Sequence, residues 1–116
     1  MGVLLQWSPL PKRRIFKERE KMKLLTKALE KKLLDNATKK DGVAYVKWFN
    51  PTGIGTWYVS EMDKNGVCYG LACMHEKEFG YFAKGELEAL KLPFGLGIER
   101  DTWFDPTPLE KCKELA

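Results

Sequence analysis

The sequence predicts an α+β domain: an antiparallel meander of about four strands, an N-terminal amphipathic helix, and short helices packed on one face. Three observations carry this. Residues 43–82 hold three β-patterned runs separated by two turn signals and most of the aromatic side chains. A helical apolar stripe precedes them, and short helical segments follow. Asp63-Lys64-Asn65-Gly66 is a hairpin signal, because Asn-Gly supplies the positive φ values that tight hairpins require.

In the first helix, Met22, Leu25, Leu29 and Leu33 recur at spacings of three, four and four, and Leu24 and Ala28 widen the stripe. The pattern extends from Ile15 to Leu34. Thr26 offers a cap for a shorter version, and the polar run after Asp35-Asn36 ends the helix. Val43 to Phe49 reads as a strand with two apolar faces, usual for a central or covered strand. Asn50-Pro51-Thr52-Gly53 is a turn. Thr56 to Met62 and Val67 to Met74 are the next strands, with Gly70 where close packing excludes a side chain.

Gly80-Tyr81-Phe82 begins a further short strand, and Glu86 to Lys91 a short helix ended by Pro93. Leu96 to Phe104 reads as the last strand. Thr107 is the expected cap of a terminal helix, with Pro108 at its first position and Glu110 where a capping box places it.

The 116 residues make one domain: 22–116 as the globular part, 1–21 as a basic arm or extension. Residues 1–11 contain two prolines and no charge, and are expected to be peripheral. Net charge is +4, and the arm accounts for all of it: Lys12, Arg13, Arg14, Lys17, Arg19 and Lys21 against Glu18 and Glu20. Nucleic-acid affinity scales with phosphates neutralised, so the arm is the candidate for such contacts and the neutral domain is not. Its glutamates pair with nearby lysines at helical spacing and better suit a solvated helix face. No apolar run approaches the roughly 20 residues of a membrane span. The three cysteines have no framework spacing, and the apolar start precedes its basic residues, the reverse of a secretory signal; the expected compartment is the cytoplasm.

Several stretches carry a resemblance: MKLLTKALEKKL from Met22, VKWFNPTGIGTWYVSEMD from Val46, EFGYF from Glu78, GELEAL from Gly85 and PFGLGIERDTWFDP from Pro93. They resemble a small bacterial and phage family, domain-of-unknown-function family 2958, over Met22 to about Leu109. The resemblance implies occurrence in bacteria, plasmids and prophages and no established activity; by analogy it suggests inhibition of a host defence complex. Gly85 departs from the family's polar capping neighbourhood, and residues 1–21 lie upstream of where the family usually begins.

Cys73 and His75 have the types of a nucleophile and base or of two metal ligands, but C-x-H supplies only half a structural zinc set. No metal or cofactor is expected. Cys68 and Cys73 should face opposite ways on a strand. Glu99 and Asp101 project together from a strand, about 7 Å apart by the strand rise, and suit either acid–base chemistry or an ion pair that fixes register with Arg100. Glu61 is a third carboxylate whose approach depends on strand order. Phe94-Gly95-Leu96-Gly97 suits a tight bend better than a phosphate cradle, since no helix follows. Trp48, Trp57, Tyr58, Tyr69, Tyr81 and Trp103 suit a core better than a base-stacking platform, being poorly interleaved with Lys or Arg. Trp57 and Tyr58 face opposite ways, so one of them is expected to be exposed to a partner.

Three functions follow. The reading adopted is a non-catalytic protein-binding domain using Trp57, Tyr58, Glu61, Glu99, Arg100 and Asp101. The alternatives are a nucleic-acid binder acting through the arm and a small hydrolase using Glu99 and Asp101. Oligomeric state is left open.

Overall fold

The computed structural model describes residues 24–116. The basic arm, with Lys12, Arg13, Arg14, Lys17, Arg19 and Lys21, lies outside the described residues. The chain runs α1 (Lys27–Lys39), β1 (Val43–Ala44), β2 (Val46–Phe49), β3 (Thr56–Met62), β4 (Val67–Cys73), β5 (Lys77–Ala83), α2 (Lys84–Ala89), a 3-10 turn (Pro93–Gly95), β6 (Glu99–Arg100), β7 (Thr107–Pro108) and α3 (Leu109–Leu115). The class is α+β.

Strands β2 to β5 form the expected antiparallel meander, and β6 adds itself to the free edge of β2, giving the order β5-β4-β3-β2-β6. The predicted first strand is divided at Tyr45. Its N–H turns to the Val59 carbonyl at 2.9 Å, while β1 leaves the sheet to pair with β7. The predicted last strand is only two residues long. The Asp101 carboxylate accepts the Trp103 N–H at 2.9 Å and its carbonyl accepts the Phe104 N–H, so the backbone turns where an extended strand was expected. Strand β5 is longer than its predicted Gly80–Phe82 core, because every residue from Lys77 to Ala83 finds a partner on β4.

Helix α1 starts at the shorter version: the Thr26 hydroxyl accepts the Leu29 N–H at 3.1 Å. It continues past Asn36 to Lys39 and stops with Lys40 in the left-handed region. Thr107 does not cap α3. Its hydroxyl donates to the Asp105 carbonyl, and Pro108 holds the cap position without a side-chain bond.

The core has two parts, one on each face of the sheet. Leu24, Leu33, Val46, Trp48, Trp57, Val59, Met62 and Cys68 form the larger, with Leu87 of α2 and Ile98 at its margin. Trp48 is fully buried, and its indole N–H donates to the Leu24 carbonyl at 2.8 Å. Helices α1 and α2 lie on this face. The terminal helix α3 covers the reverse, where Ala44, Tyr58, Leu71, Leu109 and Cys112 make the smaller cluster. A sheet with both faces covered explains why β2 and β3 are apolar on alternate and on adjacent positions alike.

Strand β3 carries a bulge at Ser60: Val59 pairs with Gly70 and Glu61 with Tyr69. A Cβ at Gly70 would fall 1.9 Å from the Tyr58 carbonyl oxygen, so the glycine is what lets β4 follow β3 there. Asn36 of α1 closes the bulge from above, donating to the Ser60 carbonyl and hydroxyl.

Candidate functional site

Trp57 and Tyr58 do face opposite ways, but neither is exposed. Trp57 belongs to the larger cluster, and Tyr58 is covered on the other face with Phe104 tilted against its ring at 5.8 Å. The expected partner-facing aromatic is therefore not found at this pair, because helices or loops cover both sides of β3. Burial raises the Tyr58 hydroxyl pKa, helped by Cys73, Cys112 and Asp101 nearby.

Glu61 is remote from Glu99. Strand β2 lies between their strands, and the register sets Glu99 beside Phe49 at the Thr56 end of β3. Glu61 instead takes the Lys40 ammonium at 3.0 Å, and that hydrogen bond first, then the charge attraction, raises the lysine. The carboxylate thereby ties the end of α1 to the sheet.

Glu99, Arg100 and Asp101 are brought together at the β6 edge. The Asp101 N–H donates to the Lys47 carbonyl at 2.9 Å, and the Lys47 ammonium stands 3.6 Å from Asp101 Oδ2 and over the Tyr58 ring. A shallow groove of about 430 Å³ opens here, lined by Lys47, Phe49, Glu99, Asp101 and Trp103 among others. A second hollow of about 240 Å³, between Leu29, Tyr45, Arg100 and Phe104, adjoins it. Strand β6 is a low wall between the two.

Trp103 sits at the rim of the first groove and is 90% exposed. Among the aromatics assigned to the core by sequence, Trp48, Trp57 and Tyr58 are buried, whereas Trp103 and Tyr81 project into solvent. The signal for Trp103 was present in Asp101-Thr102-Trp103, an Asx-turn sequence, which holds the indole out on a hydrogen-bonded loop. Phe94 is also exposed, at φ 65°, on the 3-10 turn that provides the expected bend before β6.

The structure disfavours thiol chemistry at Cys73 and His75. His75 lies exposed in the β4–β5 turn. Burial pushes the Cys73 thiol up, against a lowering by Lys77, so it is held as the poorly nucleophilic thiol. Cys68 and Cys73 belong to opposite faces, as their spacing requires. Among the described residues no three His, Cys, Asp or Glu side chains are grouped to hold a metal ion, and no helix is long and apolar enough to cross a membrane.

A family model described as "Protein of unknown function (DUF2958)" matches residues 16–115. The match begins inside the arm and takes in Lys17, Arg19 and Lys21, earlier than the start expected at Met22. No curated protein and no solved structure matches.

Proposed function

Since this chain belongs to the DUF2958 family, whose description assigns no activity, we propose from the site itself that the domain is a non-catalytic protein-binding module. Its contact surface is the β6 edge: Trp103 and the groove formed with Lys47, Glu99 and Asp101. The single observation that carries this reading is the exposure of Trp103 on a turn fixed by Asp101. A rigid aromatic at the rim of a groove loses little conformational entropy on contact and can bury 150 Å² or more, about what an interface anchor requires. Arg100 and Glu99 beside it supply polar rim contacts to a partner.

The hydrolase alternative gains no such support. Asp101 Oδ1 is engaged by the Trp103 N–H and Oδ2 by Lys47, so the carboxylate holds a turn where a base would have to face a substrate. The nucleic-acid alternative depends on the arm, and the described domain adds no argument for it. The finer reading, a mobile-element protein whose bound partner is a host-defence component, is supported by the family resemblance alone; the identity of the captured protein decides it.

The experiment is affinity capture from a bacterial lysate with the full chain, with Trp103→Ala, and with a chain starting at Met22. A protein retained by the full chain and by the shortened chain, and lost with Trp103→Ala at unchanged circular dichroism, is the expected result. Equal capture by Trp103→Ala, or retention of nucleic acid that vanishes with the arm and with salt, overturns it.

A further inference from the structure

We propose that β5 is a dimerisation edge, pairing antiparallel with β5 of a second copy of this chain about a two-fold axis at Gly80. The opposite edge of the sheet carries the groove, so the two surfaces are separate.

Backbone direction comes first. The Lys84 N–H donates to the Gly66 carbonyl at 2.9 Å, and at the other end of the hairpin the Met74 N–H donates to the Glu76 carbonyl at 3.1 Å. Hydrogen-bonded and non-hydrogen-bonded pairs alternate along an antiparallel ladder. With Cys68 opposite Phe82 and Gly70 opposite Gly80, the even-numbered residues of β5 bond inward to β4. Lys77, Phe79, Tyr81 and Ala83 therefore turn their N–H and C=O groups outward. Among the described residues no strand lies beyond β5. Edge strands are ordinarily blunted by brevity, proline, a bulge or charged side chains. This one is seven residues long, contains no proline, keeps unbroken register with β4, and carries charge only at its Lys77–Glu78 end.

The strand is also complementary to itself. With Gly80 opposite its own copy, Phe79 meets Tyr81 of the second copy, and Tyr81 meets the second Phe79, as hydrogen-bonded pairs on one face. Both rings reach solvent, Phe79 at 40% exposure with the Lys113 ammonium of α3 over it at 5.2 Å and Tyr81 at 74%, and Tyr69 already lies against Tyr81 with ring centroids 5.1 Å apart. On the other face Glu78 meets Phe82 of the second copy, twice by symmetry. At the strand ends Lys77 meets Ala83, so this register sets no like charges opposite one another.

Gly80 fits the axis. Nothing in the described chain lies within 4 Å of where its Cβ would be, and its φ is not in the left-handed region. The protomer thus gives no steric reason for a glycine that weakens a strand interior. A non-hydrogen-bonded pair on the axis brings two Cα atoms to about 4.5 Å, where the absence of side chains lets the strands meet closely.

The test is sedimentation equilibrium of the full chain with two variants. The wild type is expected to sediment at twice the 13.4 kDa protomer mass. Tyr81→Pro removes an outward N–H and no β4 bond, so it should give the protomer mass with unchanged circular dichroism. Gly80→Cys should cross-link to a covalent dimer under mild oxidation by a small disulfide, faster than the native cysteines do. A wild type that stays at the protomer mass overturns the proposal, as does a dimer that survives Tyr81→Pro. A dimer that Gly80→Cys fails to cross-link overturns the register at Gly80. Trp103→Ala should leave the mass at the dimer value, which separates this surface from the groove.

Discussion

The side-chain amide of Asn36 donates to both the carbonyl and the hydroxyl of Ser60, at 2.8 and 3.1 Å, inside the domain. Asn36 is 2% exposed and Ser60 is fully buried. Its Oδ1 accepts the Asp41 N–H at 3.2 Å, so one side chain holds the bulge of β3 and the exit from α1 together. Asn36→Ala leaves the bulge carbonyl and the Asp41 amide without partners. The expected loss is about 1–3 kcal/mol, read as a lower urea midpoint with an unchanged slope.

Two glycine replacements should act in opposite directions. Gly70→Ala places a methyl group 1.9 Å from the Tyr58 carbonyl oxygen, which is backbone and cannot swing away. A loss of about 3 kcal/mol or more is expected. Gly85→Ala lies within α2 with nothing inside 4 Å, and should gain about 0.5–1 kcal/mol from helix propensity. Thermal unfolding of the two variants against wild type checks both.

Acid and alkaline limbs of the stability curve trace to neighbouring groups. Burial alone would push the Asp41 carboxyl up, but hydrogen bonds from the Tyr45 hydroxyl and the Val43 N–H outweigh it and hold the pKa below the usual carboxylate range. The unfolded chain therefore takes up this proton at higher pH than the folded one. The stabilisation is present above the ordinary aspartate range and lost as pH falls through the lowered folded value. Tyr45→Phe should shift the acid limb to higher pH. At the other extreme Tyr45 is raised by its bond to Asp41, and Lys40 by its bond to Glu61. Both contributions are present below the unfolded values and lost as pH climbs through the folded ones, so Glu61→Gln should flatten the alkaline limb.

Thiol labelling should distinguish the cysteines. Burial pushes Cys68 up to about 12 and raises Cys73 and Cys112 as well. Cys73 is the partly exposed one. At pH 8 an aromatic disulfide reagent should label Cys73 first, and more slowly than a free thiol. Cys68 should react only at the rate of unfolding, and Cys112 at the rate at which the terminal helix opens. Fast labelling of all three would contradict the burial assigned to them.

Elements specified by local chemistry were legible in the sequence. Strand β3 has the bounds its pattern predicts, the Asp63–Gly66 hairpin forms with Asp63 Oδ1 accepting two backbone N–H groups, and Thr26 caps α1. Gly70 excludes a side chain for the reason its position suggested. What depends on distant partners was not legible. The division of the first strand at Tyr45 follows from β7 claiming β1. Alternation placed Trp57 and Tyr58 on opposite faces correctly. It carried no information that α3 would return to cover the second face. The candidate site was half legible: Glu99, Arg100 and Asp101 do gather at one edge, while Glu61 joins a different end of the sheet.

The two apolar clusters meet only through the strands that divide them, which makes the fold separable. Helix α3 rests on the smaller cluster, anchored chiefly by Leu109 and Cys112, and can detach without exposing the indole of Trp48. Amide protons of the last helix should therefore exchange through a partial opening, well before those of β3, whose release requires the whole molecule to unfold. A protease that removed the C-terminal tail would leave a smaller body intact, with Tyr58 and Leu71 newly wetted on its bare side.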